Sequence, residues 1–170
     1  RDLGIQFAFV ADGSHGPHIK QIIAMENLSG IVSIKPFCEN LSRLGYAASD
    51  FMLMPSKFEP CGLTQMIALK YGSLPIVHRT GGLKDTITHL NTVNSEGNGF
   101  VFNDYVSDAL EWAIQCAIDF YQLPPAIKQR EIQRIMREAN TQFTHQKTAL
   151  HYINLYEEML GKPLHTDEPT

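Results

Sequence analysis

Three junctions in the chain hold residue types that can do chemistry. The richest is PSKFEPCGLTQMIALKYG, Pro55 to Gly72, in which a single acid, Glu59, stands between an apolar segment and a helical pattern. Gly62-Leu63-Thr64 is the expected first turn of that helix. The first amides of a helix have no intrahelical acceptor, and the helix dipole adds partial positive charge, so such a turn is an anion site. Gly62 removes side-chain bulk where a phosphate would approach, and the Thr64 hydroxyl adds a donor. Pro60 keeps Glu59 out of helical geometry. A carboxylate beside such a turn fits a ligand that carries both a phosphate and a sugar. The same residues also fit a plainer reading, in which Glu59 caps its own helix.

The second junction is Thr80-Gly81-Gly82-Leu83-Lys84-Asp85, directly after the apolar run Leu74–Val77. Two glycines before a helix are expected to expose amides, as at Gly62. The third is Ala11-Asp12-Gly13-Ser14-His15-Gly16, after Ile5–Val10. It is a small turn that lets backbone approach a ligand, and it lacks the Gly-x-Gly-x-x-Gly spacing of a dinucleotide loop. In open α/β sheets ligands bind outside the carboxyl ends of the strands, which is where all three turns fall.

The elements that must position these turns are short. Apolar runs at Ile5–Val10, Ile31–Phe37, Phe51–Met54, Leu74–Val77 and Phe100–Phe102 read as strands of a parallel sheet buried on both faces. Helical spacing follows Phe37 (Leu41, Leu44, Ala48), and Leu63–Tyr71, apolar nearly all round, reads as a buried helix. From Ser107, the residues Leu110, Ala113, Ile114, Ala117, Ile118 and Tyr121 trace one helix face. Pro124-Pro125 breaks it, and Pro125 opens a helix carrying Ile127, Ile135 and Met136. The charges over Lys128–Glu138 read as a solvated face. A last helix carries Ala149, Tyr152, Ile153, Tyr156 and Met159 on one stripe and ends at Gly161. The expectation is one α/β domain over residues 1–160 with a disordered tail over 161–170.

Bulk composition narrows the function classes. The chain has 170 residues, is 44% hydrophobic and 19% charged, and carries a formal net charge of −4. No basic run points to nucleic acid. No apolar run approaches the roughly 20 residues of a transmembrane helix, and no signal peptide is evident. Cys38, Cys61 and Cys116 are odd in number and widely spaced, which argues against a disulfide framework. His15 and His18 flank a Gly-Pro turn, but no cysteine or carboxylate beside them completes a metal set, so no metal is expected. His78, before Arg79, is expected at the surface or in a supporting place. The chain opens at Arg1 rather than Met, which reads as a processed chain or an excised fragment.

PSKFEPCGLTQMIALKYG followed by TGGLKDT resembles the glycogen and starch synthases of glycosyltransferase family 5. The resemblance is specific over Asp50–Thr86 and extends over roughly residues 3–160, including QFTHQKTALHYINLYEEML, where His145 stands in place of the family's usual aromatic. It implies a GT-B fold, two Rossmann-like domains facing across a cleft, of which this chain is similar to the C-terminal, sugar-nucleotide-binding one. By that resemblance Glu59 contacts the transferred glucose. The stretch Cys61, Gly62, Leu63, Thr64 and Gln65 meets the diphosphate, with Thr80, Gly81 and Gly82 beside it. Phe37 lies against the adenine, and Asp12, Gly13 and Ser14 border the same crevice. Related retaining transferases carry a second glutamate eight positions after the first. Here Ile67 occupies that position, as family 5 allows.

The implied reaction moves glucose from ADP-glucose to the 4-hydroxyl at the non-reducing end of an α-1,4-glucan, with retention and without metal. The acceptor-binding half and the basic loop for the diphosphate belong upstream of Arg1, so the chain alone is expected to bind ADP weakly and not to synthesise glucan. No nucleic-acid or membrane partner is implied. The compartment would be the bacterial cytoplasm or the plastid stroma. The rival readings are a UDP-sugar-using transferase of the same fold, a non-catalytic nucleotide- or glucan-binding module, and a generic flavin- or nicotinamide-binding domain.

Overall fold

The computed structural model describes residues 4–164. Strands and helices alternate: β1 (Phe7–Val10), α1 (Gly16–Met25), β2 (Val32–Lys35), α2 (Glu39–Ala48), β3 (Phe51–Met54), α3 (Thr64–Tyr71), β4 (Leu74–His78), α4 (Gly81–Thr86) and β5 (Phe100–Phe102). Three helices close the chain: α5 (Ser107–Tyr121), α6 (Pro125–Gln142) and α7 (His145–Leu160). The expected α/β class is found, with parallel strands flanked by helices. Pro125 opens α6 and a left-handed Gly161 ends α7, as their positions predict.

The strands form two parallel ladders where the sequence reading expects one sheet. β1 pairs with β2, Phe7 opposite Val32, and β4 sits between β3 and β5, with Phe51 opposite Leu74 and His78 opposite Phe102. Burial separates the two ladders. Every residue of β4 is buried, whereas β1 and β2 hold only half-buried and exposed positions. Among the described residues nothing before Met54 is fully buried.

The core therefore lies in the second ladder and the helices on it. Leu69, Leu74, Val77, Leu83, Phe100, Phe102 and Phe120 are buried together. Ala113 and Ala117 let α5 lie close to the strands, and Phe100 meets Phe51 edge-on at 5.8 Å and Phe120 at 6.0 Å. Burial of this apolar area is the main stabilising term.

Two expectations on the helices change. α3 is not buried all round: Gln65, Ala68 and Leu69 face inward, but Leu63, Ile67 and Tyr71 are exposed, because only one side of the helix meets β4 and α6. The stripe on α7 exists, yet no residue of that helix is buried, and Tyr152, Tyr156 and Met159 face outward. Of the tail expected over 161–170, residues 165–170 lie outside the described residues. Before them, the Leu164 amide donates to the Glu157 carboxylate at 3.0 Å.

The charges on α6 are not simply a solvated face. Glu131 is completely buried. It accepts from Ser95 Oγ at 2.8 Å, Arg130 Nε at 2.9 Å and Arg134 Nε at 3.0 Å. Arg134 also donates to Gly97 O at 2.7 Å, which fastens the loop before β5 to α6. Burial by itself pushes the Glu131 carboxyl upward. The hydrogen bonds from Ser95, Arg134 and Arg130 outweigh it and hold the pKa below the usual carboxylate range. Because the folded value is the lower one, this group stabilises the fold above the unfolded carboxyl pKa. The contribution is lost as pH falls through the folded value. Glu131→Gln should lower stability at neutral pH by on the order of 2 kcal/mol, the weight of hydrogen bonds to a charged group. The gap in melting temperature between the two proteins should close as the medium becomes strongly acidic.

Candidate functional site

The site is built where β3 and β4 end. After Met54 the chain turns through Pro55–Pro60 and enters α3 at Thr64, with Leu63 as the cap residue and no side chain capping the helix. Glu59 is half-buried, and the partner of its carboxylate is Ser56 Oγ at 3.5 Å. The acid does not fold back onto the amides of its own helix, which removes the capping alternative. The backbone amides of Gly62, Leu63, Thr64 and Gln65 have no acceptor among the described residues. They are donors at the positive end of a helix, next to a carboxylate.

The second turn is pressed against the first. Thr80 is extended and caps α4. The Gly82 amide donates to Glu59 O at 2.9 Å. A Cβ at Gly81 would overlap the carbonyl of Glu59, and one at Gly82 would overlap the carbonyl of Cys61. Gly81 also has φ +43°, the left-handed region. The glycine pair thus has a different cause from the expected one. It admits the neighbouring backbone, and the Gly82 amide, expected to be bare, is engaged inside the protein.

Gln65 locks this contact from behind. It is fully buried, and its Nε2 donates to Gly62 O at 2.7 Å and to Thr86 Oγ1 at 3.0 Å. Thr86 Oγ1 in turn donates to Gly82 O at 2.7 Å. The Gln65 side chain therefore positions the turn, and only its backbone amide is free. A side chain on Gly62, which has φ +74°, would meet Gln65 Oε1 at 2.5 Å. Oε1 itself is buried without a partner among the described residues.

Ser56, missed by the sequence reading, and His78, expected at the surface or in a supporting place, brace the same loop. Ser56 holds the Glu59 carboxylate. His78 is buried, with Nδ1 2.9 Å from Ser56 O and Nε2 3.2 Å from Asn103 O, so it bridges the loop after β3 to the end of β5. A histidine closing a fully apolar strand was the available signal.

The remaining expected residues gather separately. Asp12, Gly13 and Ser14 follow β1 and are exposed, and Phe37, 59% exposed, lies two residues beyond β2. The Phe37 amide donates to Asp12 Oδ1 at 3.1 Å, which joins the two turns. Asp12, Gly13, Lys20 and Lys35 border a cavity of about 170 Å³ there. Among the described residues no hydrogen bond joins this pair of turns to the Glu59 loop. Cys61 is a free, exposed thiol. No three His, Cys, Asp or Glu side chains among the described residues stand close enough to hold a metal ion.

The sequence pattern of the family described as glycosyl transferases group 1 matches residues 4–134. The chain belongs to that family. As a group 1 glycosyltransferase domain it is 46% identical over 123 residues to a glycogen synthase of Clostridium botulinum, covering 72% of this chain and 25% of that protein. It is 42% identical over 130 residues to the glycogen synthase of Geobacillus thermodenitrificans, covering 76% and 26%. The domain thus spans about a quarter of the length of these curated relatives. Its fold matches the catalytic domain of starch synthase IV from Arabidopsis thaliana, solved with ADP and acarbose. The TM-score is 0.78 at 32% identity, over 95% of this chain and 34% of that one. The expected GT-B class and transferase family stand.

The backbone contact yields a direct test. Gly82→Ala should destabilise the domain by about 1–3 kcal/mol, the usual range for forced overpacking. Gly81→Ala should do at least as much, since its φ is also unfavourable. Gly45→Ala, in the middle of α2 with open space around it, should instead raise the melting temperature slightly.

Proposed function

We propose that this chain is the donor-binding domain of a retaining glucosyltransferase of the glycogen and starch synthase type, taking ADP-glucose. The observation that carries the reading is the pair formed by the unengaged amides of Gly62–Gln65 and the half-buried carboxylate of Glu59 beside them. A diphosphate needs several aligned donors and no nearby full negative charge on the same atoms. A hexose beyond it needs an acceptor for its hydroxyls.

In this reading the diphosphate lies on the first turn of α3, met by the Gly62, Leu63, Thr64 and Gln65 amides and the Thr64 hydroxyl. Fixed main-chain dipoles stabilise the charge that develops as the diphosphate departs, without reorganising during the reaction. Glu59 sits over the sugar, held by Ser56, and orients hydroxyls or stabilises positive charge at the anomeric carbon. Thr80 and Gly81 form the wall beside it. Phe37 supplies an exposed ring for the base, with Asp12, Gly13 and Ser14 on the same rim. No metal is called for, because basic side chains take that role on the remainder of the enzyme, which also carries the site for the α-1,4-glucan acceptor. The starch synthase neighbour, solved with ADP, favours ADP over UDP.

ADP should raise the melting temperature of the 170-residue chain more than UDP does. Equal shifts, or none, would count against the donor assignment. In the full-length enzyme Glu59→Gln should lower turnover by orders of magnitude and leave ADP affinity nearly unchanged. Near-normal turnover would remove Glu59 from the sugar.

A further inference from the structure

A second pocket is bordered by residues that flank the Thr80–Gly82 turn in sequence. It has a volume of about 340 Å³ and is bordered by Arg79, Lys84, Thr88, His89, Asn103 and Trp112. The charge balance is unusual: two cations line it and no carboxylate does. Neither the Arg79 nor the Lys84 side chain makes an ion pair or a hydrogen bond among the described residues, although Asp85 and Asp104 are close in sequence.

One wall is aromatic and fixed. Trp112, 53% exposed, stacks on the His89 ring with centroids 5.3 Å apart and an interplanar angle of 21°. His89 in turn meets the edge of Phe100 at 5.9 Å, and the Val101 amide donates to its Nδ1 at 3.1 Å. In the neutral ring that bond places the proton on Nε2. One face of the indole is thereby held by a rigid neighbour, while half of its surface stays open to solvent.

Two unneutralised cations beside an open aromatic face define a ligand class. A phosphate monoester answers the cations, guanidinium binding it in two-point fashion and the ammonium as a point charge. A sugar ring answers the indole face with its C–H groups, and the Thr88 and Asn103 side chains can meet its hydroxyls. We infer that this pocket binds a phosphorylated sugar, at a place separate from the Glu59 crevice. The same chemistry is offered by a free hexose phosphate and by a phosphoester on a glucan chain.

The test uses the fact that Trp112 is the single tryptophan of the chain. Its fluorescence is followed while the 170-residue chain is titrated with glucose 6-phosphate, a phosphorylated malto-oligosaccharide, maltose and inorganic phosphate. The expected result is a saturable change with both sugar phosphates and little with maltose. Lys84→Ala should weaken sugar phosphate binding about tenfold, the loss of one charge-assisted contact. The Lys84→Ala domain should melt as the parent does and keep its ADP response, so failure here is distinct from failure of the donor assignment. Tighter binding of the phosphorylated oligosaccharide would assign the ligand to glucan, and tighter binding of glucose 6-phosphate to the free sugar. An unchanged signal at millimolar sugar phosphate would overturn the inference. So would an equal response to inorganic phosphate, an unaltered affinity in Lys84→Ala, or full displacement of the sugar phosphate by ADP.

Discussion

The arrangement of this domain depends on one main-chain contact, in which the Gly81-Gly82 backbone lies directly on the carbonyls of Glu59 and Cys61. No side chain fits between them, and the Gly82 amide closes the contact with a hydrogen bond to Glu59 O. Because the two turns belong to successive strand–helix units, fixing one fixes the other. The Gln65–Thr86 link holds the same two units from the buried side. Glu59 is therefore carried by a loop whose carbonyl is anchored, while its carboxylate meets Ser56 and the amides after it stay unengaged among the described residues.

Rigidity is distributed unevenly around that contact. β4 and the helices over it carry the fully buried side chains, and the Glu131 cluster ties the loop before β5 to α6. The first ladder and α7 have no fully buried residues. The Glu59 and Gly81-Gly82 turns thus stand on the best-packed part of the chain. The turn bearing Phe37 and Asp12 stands on its least buried part, joined through a single backbone-to-carboxylate hydrogen bond. In the proposed reading a base would sit on the less buried wall, and a diphosphate on the better packed one.

The sequence made much of this legible, for identifiable reasons. Phe51–Met54 and Phe100–Phe102 are read to the residue because short apolar runs closed off by polar or turn-forming residues, Asp50 and Pro55 or Gly99 and Asn103, have few alternatives. Pro125 and Gly161 mark helix ends because ring closure and left-handed backbone act locally. The purpose of Gly81-Gly82 was not legible, since what crowds it is a backbone some twenty residues earlier in the chain. Glu131 was misread for a similar reason. Its partner Ser95 meets it only through the tertiary fold, and a charged run has no pattern that distinguishes a buried acid from a solvated one. His78 likewise gains its role from neighbours distant in sequence, Ser56 and Asn103.

Main-chain N–H groups at the start of α3, presented by two interlocked turns, carry the whole functional account. Amide NMR of the uniformly labelled chain during titration with ADP addresses them one at a time. The account predicts that Gly62, Leu63, Thr64 and Gln65 shift most, in a saturable manner, while Gly82, already bonded to Glu59, moves little. Saturable binding that leaves those four signals in place and moves others instead would contradict it.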